Sequence, residues 1–447
     1  MRPPALPRPR TSAELEPDPY VPAHGDTSYT VAHYDLELDY RVVSNRLAGR
    51  ARIHVRTTRR IDRLALDLAG PLAVAKVLVD GKRARYAHRA ARLTVTLPGQ
   101  VAAGAALVVE VQWSGNPRPS RGLWGEVGWE ELTEGVLVAG QPDGAPTWFP
   151  CNDHPGIKST YATTVTCDSP YTVVTNGVLV QRVVRGSRTS WTYEQREPMA
   201  PYLASVQIGA YTAARIADAP DVPQTLHVPP RLKAEALHDF GRQPQMMAVF
   251  TELFGPYPFP AYDVVVTDDP LEIPLESQGF STFGANYCTG RRSEERLVAH
   301  ELAHQWFGNA VGVATWQHIW LNEGFACYAE WLWSPHAGGQ STDAHARRWH
   351  ASLKRQPQDL VLADPWARDM FDDRVYKRGA LTLHALRITV GDSVFGELVQ
   401  SWVADHLHSV VTTDMFVTHA KRYGGATARS LLKAWLEQPT LPELPRR

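Results

Sequence analysis

Two short stretches concentrate the residue types that do chemistry. The first, Val298-Ala299-His300-Glu301-Leu302-Ala303-His304-Gln305-Trp306-Phe307-Gly308-Asn309, contains H-E-x-x-H. The second, Trp320-Leu321-Asn322-Glu323-Gly324-Phe325-Ala326, places Glu323 after a spacer of 18 residues. On a helix, side chains four apart share a face, so His300 and His304 can both point at one cation. Glu301 sits about 100° further round the helix and reaches the same pocket without being a ligand. Two imidazoles and one carboxylate leave a fourth tetrahedral position open to water, the arrangement of a catalytic rather than a structural zinc site. Such an ion acidifies water and polarises a carbonyl, and Glu301 is then the candidate general base. Glu330, seven residues after Glu323, lies two turns along the same face. It either orients a ligand imidazole or makes a plain salt bridge.

A bare H-E-x-x-H also arises by chance, so the elements around it must carry the reading. The pattern predicts a helix over 293–308, with Ser293 at its start, Glu294 and Glu295 in the first turn and Gly308-Asn309 at its end. Leu297, Leu302, Ala303 and Trp306 give that helix apolar surface to bury. A second helix over 322–334, stopped by Pro335, carries Glu323, and Gly324 beside it lets another backbone approach closely.

At 447 residues the chain is long enough for two or three domains. Residues 1–25 read as an extended, poorly ordered, proline-rich lead-in, 26–210 as an all-β domain and 211–447 as a mostly helical catalytic domain. In the β region, Tyr34, Leu36, Leu38, Tyr40 and Val42 alternate with polar residues, as a half-buried strand requires. Ala51, Ile53 and Val55 alternate with Arg50, Arg52, His54 and Arg56, which reads as a solvated strand face. Further strands are expected at 62–68, 74–79, 92–97, 106–113, 135–140, 160–166, 171–182 and 188–194, with a hairpin at Asp80-Gly81. After 210 the expected elements are a helix over 231–254, strands at 262–267 and 279–284, and helices over 341–355, 377–390, 392–407, 413–423 and 427–437.

Charge is balanced, 46 basic against 47 acidic residues, so neither a nucleic-acid nor an anionic-membrane partner is expected. No apolar run approaches the ~20 residues that span a bilayer. The proline- and arginine-rich N-terminus lacks the apolar core of a signal peptide, and a cytoplasmic location is expected. Cys151, Cys167, Cys288 and Cys327 form no C-x-x-C and read as buried thiols of a reducing compartment rather than disulfides.

From about residue 28 onward the chain resembles the aminopeptidase N family of gluzincin zinc metallopeptidases, which includes the bifunctional leukotriene hydrolase. Five segments carry the resemblance in order. Phe149-Pro150-Cys151-Asn152-Asp153-His154-Pro155 is similar to the family's F-P-C-x-D-x-P. Phe254-Gly255-Pro256-Tyr257-Pro258-Phe259 is similar to its entry to the catalytic domain. The two zinc segments follow, and Val375-Tyr376-Lys377-Arg378-Gly379-Ala380 is similar to its Y-x-K-G, with Arg378 inserted.

The resemblance implies an α+β multidomain fold, a saddle-like β domain followed by a thermolysin-like, mostly helical catalytic domain. It implies one zinc ion per chain and removal of single residues from peptides with a free N-terminus. Tyr376 takes the place of the family's oxyanion donor. Glu276, in Ile273-Pro274-Leu275-Glu276-Ser277-Gln278-Gly279-Phe280, takes the place of the amine-binding glutamate of G-x-M-E-N, with Ile273 and Ser277 replacing Gly and Asn. Gln141 aligns with a second amine-binding position, or is an ordinary loop glutamine. Gly279 to Phe283 is the expected edge strand for an extended substrate. Many members carry a further helical domain roofing the cleft. The chain stops at Arg447 without one, so a more open cleft, cutting internally or maturing a dedicated peptide, is an alternative. A non-catalytic scaffold is the third reading, which the intact ligands and base disfavour.

Overall fold

Strand alternation and glycine crossings, more than helix length, decide this architecture. The computed structural model describes residues 14–216 and 222–446. An eight-stranded sheet runs, edge to edge, through Val178–Arg185, Arg188–Met199, Ser159–Asp168, Tyr29–Arg41, Arg46–Thr57, Ala106–Gly115, Leu72–Val79 and Lys82–Arg83. Its one parallel ladder pairs Tyr29–Arg41 with Ser159–Asp168, Tyr34 facing Tyr161. Tyr34, Leu36, Leu38 and Tyr40 are buried, while Arg52 and Arg56 on the neighbouring strand face solvent. Arg50 pairs there with Glu37, so the arginine row is the solvated face expected of it. Asp80 and Gly81, both at positive φ, close the two-residue hairpin between Val79 and Lys82. Gly125–Leu132, which the pattern did not announce, joins a second, five-stranded sheet through Gly135–Ala139.

The expected strand over 171–182 is two strands in different sheets. Thr172–Thr175 belongs to the five-stranded sheet and Val178–Arg185 to the edge of the large one. Between them Gly177 takes φ +92, and the buried Asn176 donates to Leu203 O and Gln278 O, holding the break. The expected helix over 231–254 is likewise divided into Lys233–Asp239 and Gln243–Phe254. Pro244 in the first turn of the second piece has no N–H to continue a helix through it. Asp239 is drawn outward, accepting from the backbone N–H groups of Thr289, Gly290 and Arg292. The last two expected helices run as one segment, Thr413–Glu437, kinked at Gly425.

The lead-in is not loose where it is described. Asp18 accepts from Trp316 N, Tyr20 O–H donates to Asp364, and His24 pairs with Asp153 at 3.0 Å, so residues 14–25 strap the β region to the helical one. Residues 1–13 of the expected lead-in lie outside the described residues. Beyond it, Thr212–Arg215, Gln224–Val228, Tyr262–Val266, Phe280–Phe283 and Leu275–Ser277 form a five-stranded sheet in that order. Helices Trp320–Trp333 and Asp373–Val390 cross where Gly324 meets Gly379. A Cβ on Gly324 would stand 2.9 Å from Gly379 Cα, so the backbones touch and only glycine fits. That crossing brings Glu323 and Tyr376 to one place. All four cysteines are free and buried. Among the described residues no helix is long and apolar enough to cross a membrane.

Candidate active site

The regular part of the H-E-x-x-H helix is Glu295–Ala303, shorter than expected, with His304 at its C-terminal boundary and turns through Phe307. Ser293 does not cap it; its hydroxyl lies 3.3 Å from that of Thr289. Within this frame the two imidazoles do share a face. His300 Nε2 and His304 Nε2 each lie 3.5 Å from the same oxygen, Glu323 Oε2. Their other nitrogens are held from behind: His300 Nδ1 by Glu330 Oε1 at 2.8 Å, His304 Nδ1 by Phe307 O at 3.1 Å. Acceptors at both Nδ1 atoms keep the proton there, so both Nε2 lone pairs point inward. Zinc arms of 2.0–2.1 Å at tetrahedral angles place neighbouring donors about 3.4 Å apart, and the three donors match that spacing. Glu330 therefore orients a ligand imidazole, and its second oxygen meets Arg296 at 3.4 Å.

The field at the focus favours positive charge. Burial pulls both imidazoles down, but hydrogen bonds and charges from Glu323, with Glu330 behind His300, outweigh it and hold them at about 9 and about 10. Glu323 is pushed up by burial and more strongly down by the two histidines, to about 2. A focus that would keep two imidazoles protonated is one that attracts a divalent cation instead.

Glu276, Glu301 and His304 each bring one ligating atom within 4.8 Å of the others. Burial raises the Glu301 carboxyl to about 7 against the pull of His300 and His304. Burial raises Glu276 as well, opposed by His304 and assisted by Glu323. The Tyr376 ring centre is 6.1 Å from that of His300, nearly parallel. Burial, reinforced by Glu323, Glu276 and Glu301, raises its phenol well above the ordinary value, so it stays a neutral donor. Gln141 lies in the loop after Gly135–Ala139; no hydrogen bond joins it to this cluster, and its enclosed Nε2 has no acceptor among the described residues. The edge strand is Leu275–Ser277, carrying Glu276 opposite Ser281, and not Gly279 to Phe283. Gln278-Gly279, with φ +85 at the glycine, folds that strand back along the outside of Phe280–Phe283.

Residues 30–203 match the Peptidase M1 N-terminal domain, and residues 239–435 match the Peptidase family M1 domain. A crystal structure of the M1 zinc metallopeptidase from Deinococcus radiodurans superposes with a TM-score of 0.85 at 32% identity, covering 96% of this chain and 99% of that one. This chain belongs to peptidase family M1. A mutant form of the Deinococcus M1 enzyme bound to a Tyr-Ser-Ala substrate matches at 30% identity, TM-score 0.85, over 95% and 98% of the two chains. Aminopeptidase M1 of Arabidopsis thaliana is 25% identical over 331 residues, 68% of this chain and 36% of its own length. The chain thus spans about a third of that relative.

Several M1 site residues escaped the sequence reading. Gln305 Oε1 accepts from Gly279 N at 2.8 Å and its Nε2 donates to Ser277 O at 3.0 Å. Asn309 Nδ2 donates to the same carbonyl at 3.0 Å. Lys158, from the β region, donates to Asn309 O and Ala310 O at 2.7 and 2.9 Å. Gln305 and Asn309 stand four apart just after His304, a spacing that signals one shared face; for Lys158 the sequence holds no signal. Arg378, buried, ties its helix to the carbonyls of Leu360, Trp435, Gln438 and Pro439.

Proposed function

We propose that this chain is a zinc-dependent aminopeptidase that hydrolyses the first peptide bond of peptides with a free N-terminus. The observation that carries the reading is the convergence of His300, His304 and Glu323 on one point with the carboxylates of Glu301 and Glu276 beside it. His300, His304 and Glu323 would hold one zinc ion, which supplies Lewis acidity, polarising the scissile carbonyl and lowering the pKa of water toward about 7. Glu301 takes the water proton and returns it to the leaving amine, work typically worth about 10²–10⁴ in rate. Tyr376 donates a hydrogen bond to the oxygen on which charge develops. Glu276 pairs with the substrate ammonium and so selects the first peptide bond, while its edge strand offers main-chain hydrogen bonds to an extended peptide. Gln141 is assigned to the same ammonium-binding end, because a buried amide donor without a partner calls for a ligand. Glu330 fixes the His300 ring. The names of the relatives support the activity: the Arabidopsis protein is an aminopeptidase and the Deinococcus protein was captured with a tripeptide substrate.

The division at 210/211 is proposed on the same footing, since Thr212–Arg215 pairs in the sheet that carries Glu276. Four buried free thiols suit a reducing, cytoplasmic setting. The test is a panel of aminoacyl reporters, free and N-acetylated, with and without chelator, together with mass analysis of a long peptide. Chelator-sensitive release from the free-amine reporters and stepwise trimming are expected. Internal cuts in the long peptide would replace the exopeptidase reading, and zinc-loaded protein without turnover would remove the enzyme reading.

A further inference from the structure

We propose that Gln305 and Asn309 are positioning residues for the amine end of the substrate: they lock the Glu276 hairpin to the ligand helix and so set the distance from ammonium to scissile carbonyl. The inference rests on the aminopeptidase reading and deepens it. Leu275–Ser277 is three residues long and pairs on one side only, with Phe280–Phe283. A ladder that short does not hold its own register against sliding or lifting. The segment before it is exposed, Ile273 at 64%. What fixes the strand is the tip of its hairpin, where Gln305 meets one carbonyl and one N–H as a neighbouring strand would. Asn309 adds a second donor to Ser277 O. Both amides are fully buried, so water offers them no alternative. Behind the tip, Asn176 donates to Gln278 O and Gln278 to Glu197 O, which ties the far side to the β region. Gln305 follows His304 directly in the chain, so the ligand and the clamp move as one body. Glu276, two residues before Gln278, is then held at a set place beside His304.

The test compares wild type, Glu276→Ala, Gln305→Met and the double variant. It measures kcat and KM on a leucyl reporter, competitive inhibition by leucinamide and by N-acetyl-leucinamide, and zinc content. Gln305→Met keeps the volume and loses both hydrogen bonds. It is expected to raise KM about tenfold with zinc retained, and to shrink the advantage of leucinamide over its acetylated form by a similar factor. In the Glu276→Ala background the same change is expected to add less than about threefold, because both substitutions remove one interaction. Equal weakening of both inhibitors, or fully additive losses, would overturn the proposal. If Glu276→Ala leaves the leucinamide preference intact, the amine reading of Glu276 fails, and that result is separate from a Gln305 variant behaving as wild type. Should Gln305→Met not fold, Asn309→Ala removes one of the three contacts; a smaller shift of the same ratio supports the clamp, and an unchanged ratio overturns it.

Discussion

Glu323 and Glu276 are two carboxylates of one cluster, and they arrive by different routes. Glu323 rides a helix whose place is set by backbone contact at Gly324 and Gly379, and its charge is paid for by two imidazoles that drive its pKa to about 2. Glu276 hangs on a three-residue edge strand held by side-chain amides, and burial drives its pKa upward. One half is built on rigid helices and organised around a cation. The other is a hairpin that needs a substrate ammonium to complete its charge balance. The first half determines which reaction is run, the second which bond is chosen.

The largest effect should come from breaking the cation half. Removal of metal by a chelator is expected to bring activity to background and added Zn²⁺ to restore it, whereas Glu323→Ala protein should stay inactive and lack zinc by atomic emission. Glu301→Gln follows: a kcat lower by about 10²–10⁴ with zinc content unchanged, read from steady-state kinetics and metal analysis side by side. Retained turnover there would mean that another group moves the proton. Glu276→Ala should cost on the order of 10² in kcat/KM for free-amine substrates, mostly through KM, because a desolvated charge pair is worth a few kcal/mol. A loss confined to kcat would shift Glu276 from binding to chemistry and dissolve the contrast between the two halves.

That contrast also explains what the sequence made legible. His300, Glu301 and His304 can be read because helical periodicity turns separation into direction, and Glu323 because a glycine beside it announces a close crossing. The β region was readable where inward and outward residues alternate. It was not readable at Asn176-Gly177, where both flanks alternate and only a buried side-chain hydrogen bond separates two sheets. The role of Glu276 came from resemblance alone, since one carboxylate in a polar loop has no periodicity. The partners of Gln305 lie 28 residues away in the chain and those of Lys158 more than 150, and pairings of that range leave no local pattern. The helix break before Gln243 has the same origin: Asp239 is satisfied by N–H groups about fifty residues later.

Smaller effects sharpen the supports of each half. Glu330→Ala leaves His300 Nδ1 without its acceptor, and zinc affinity is expected to fall 10- to 100-fold, measured by competition with a chelating dye. An unchanged affinity would make Glu330 merely the partner of Arg296.

Lys158 supports the turn that carries Asn309, and its signature is a slope with pH. Its ammonium donates to two carbonyls and has no acidic partner among the described residues; the nearby His408 is itself held neutral, at about 4, by burial and by Lys158. Burial lowers the Lys158 pKa from 10.5 to about 7. Between those values the unfolded chain binds a proton that the folded chain does not, so stability rises with pH across that window, by up to about 1.4 kcal/mol per pH unit. Below pH 7 both states carry the proton and this contribution is flat. Lys158→Met should remove the slope between pH 7 and 10 in urea unfolding while leaving the acid limb parallel to wild type. Because the carbonyls of Asn309 and Ala310 lose their donor, the variant should also be less stable at the alkaline end, by about 1–3 kcal/mol. Parallel curves through the whole range would mean that the lysine is solvated, and that the turn after the ligand helix is held by Gln305 and Asn309 without help from the β region.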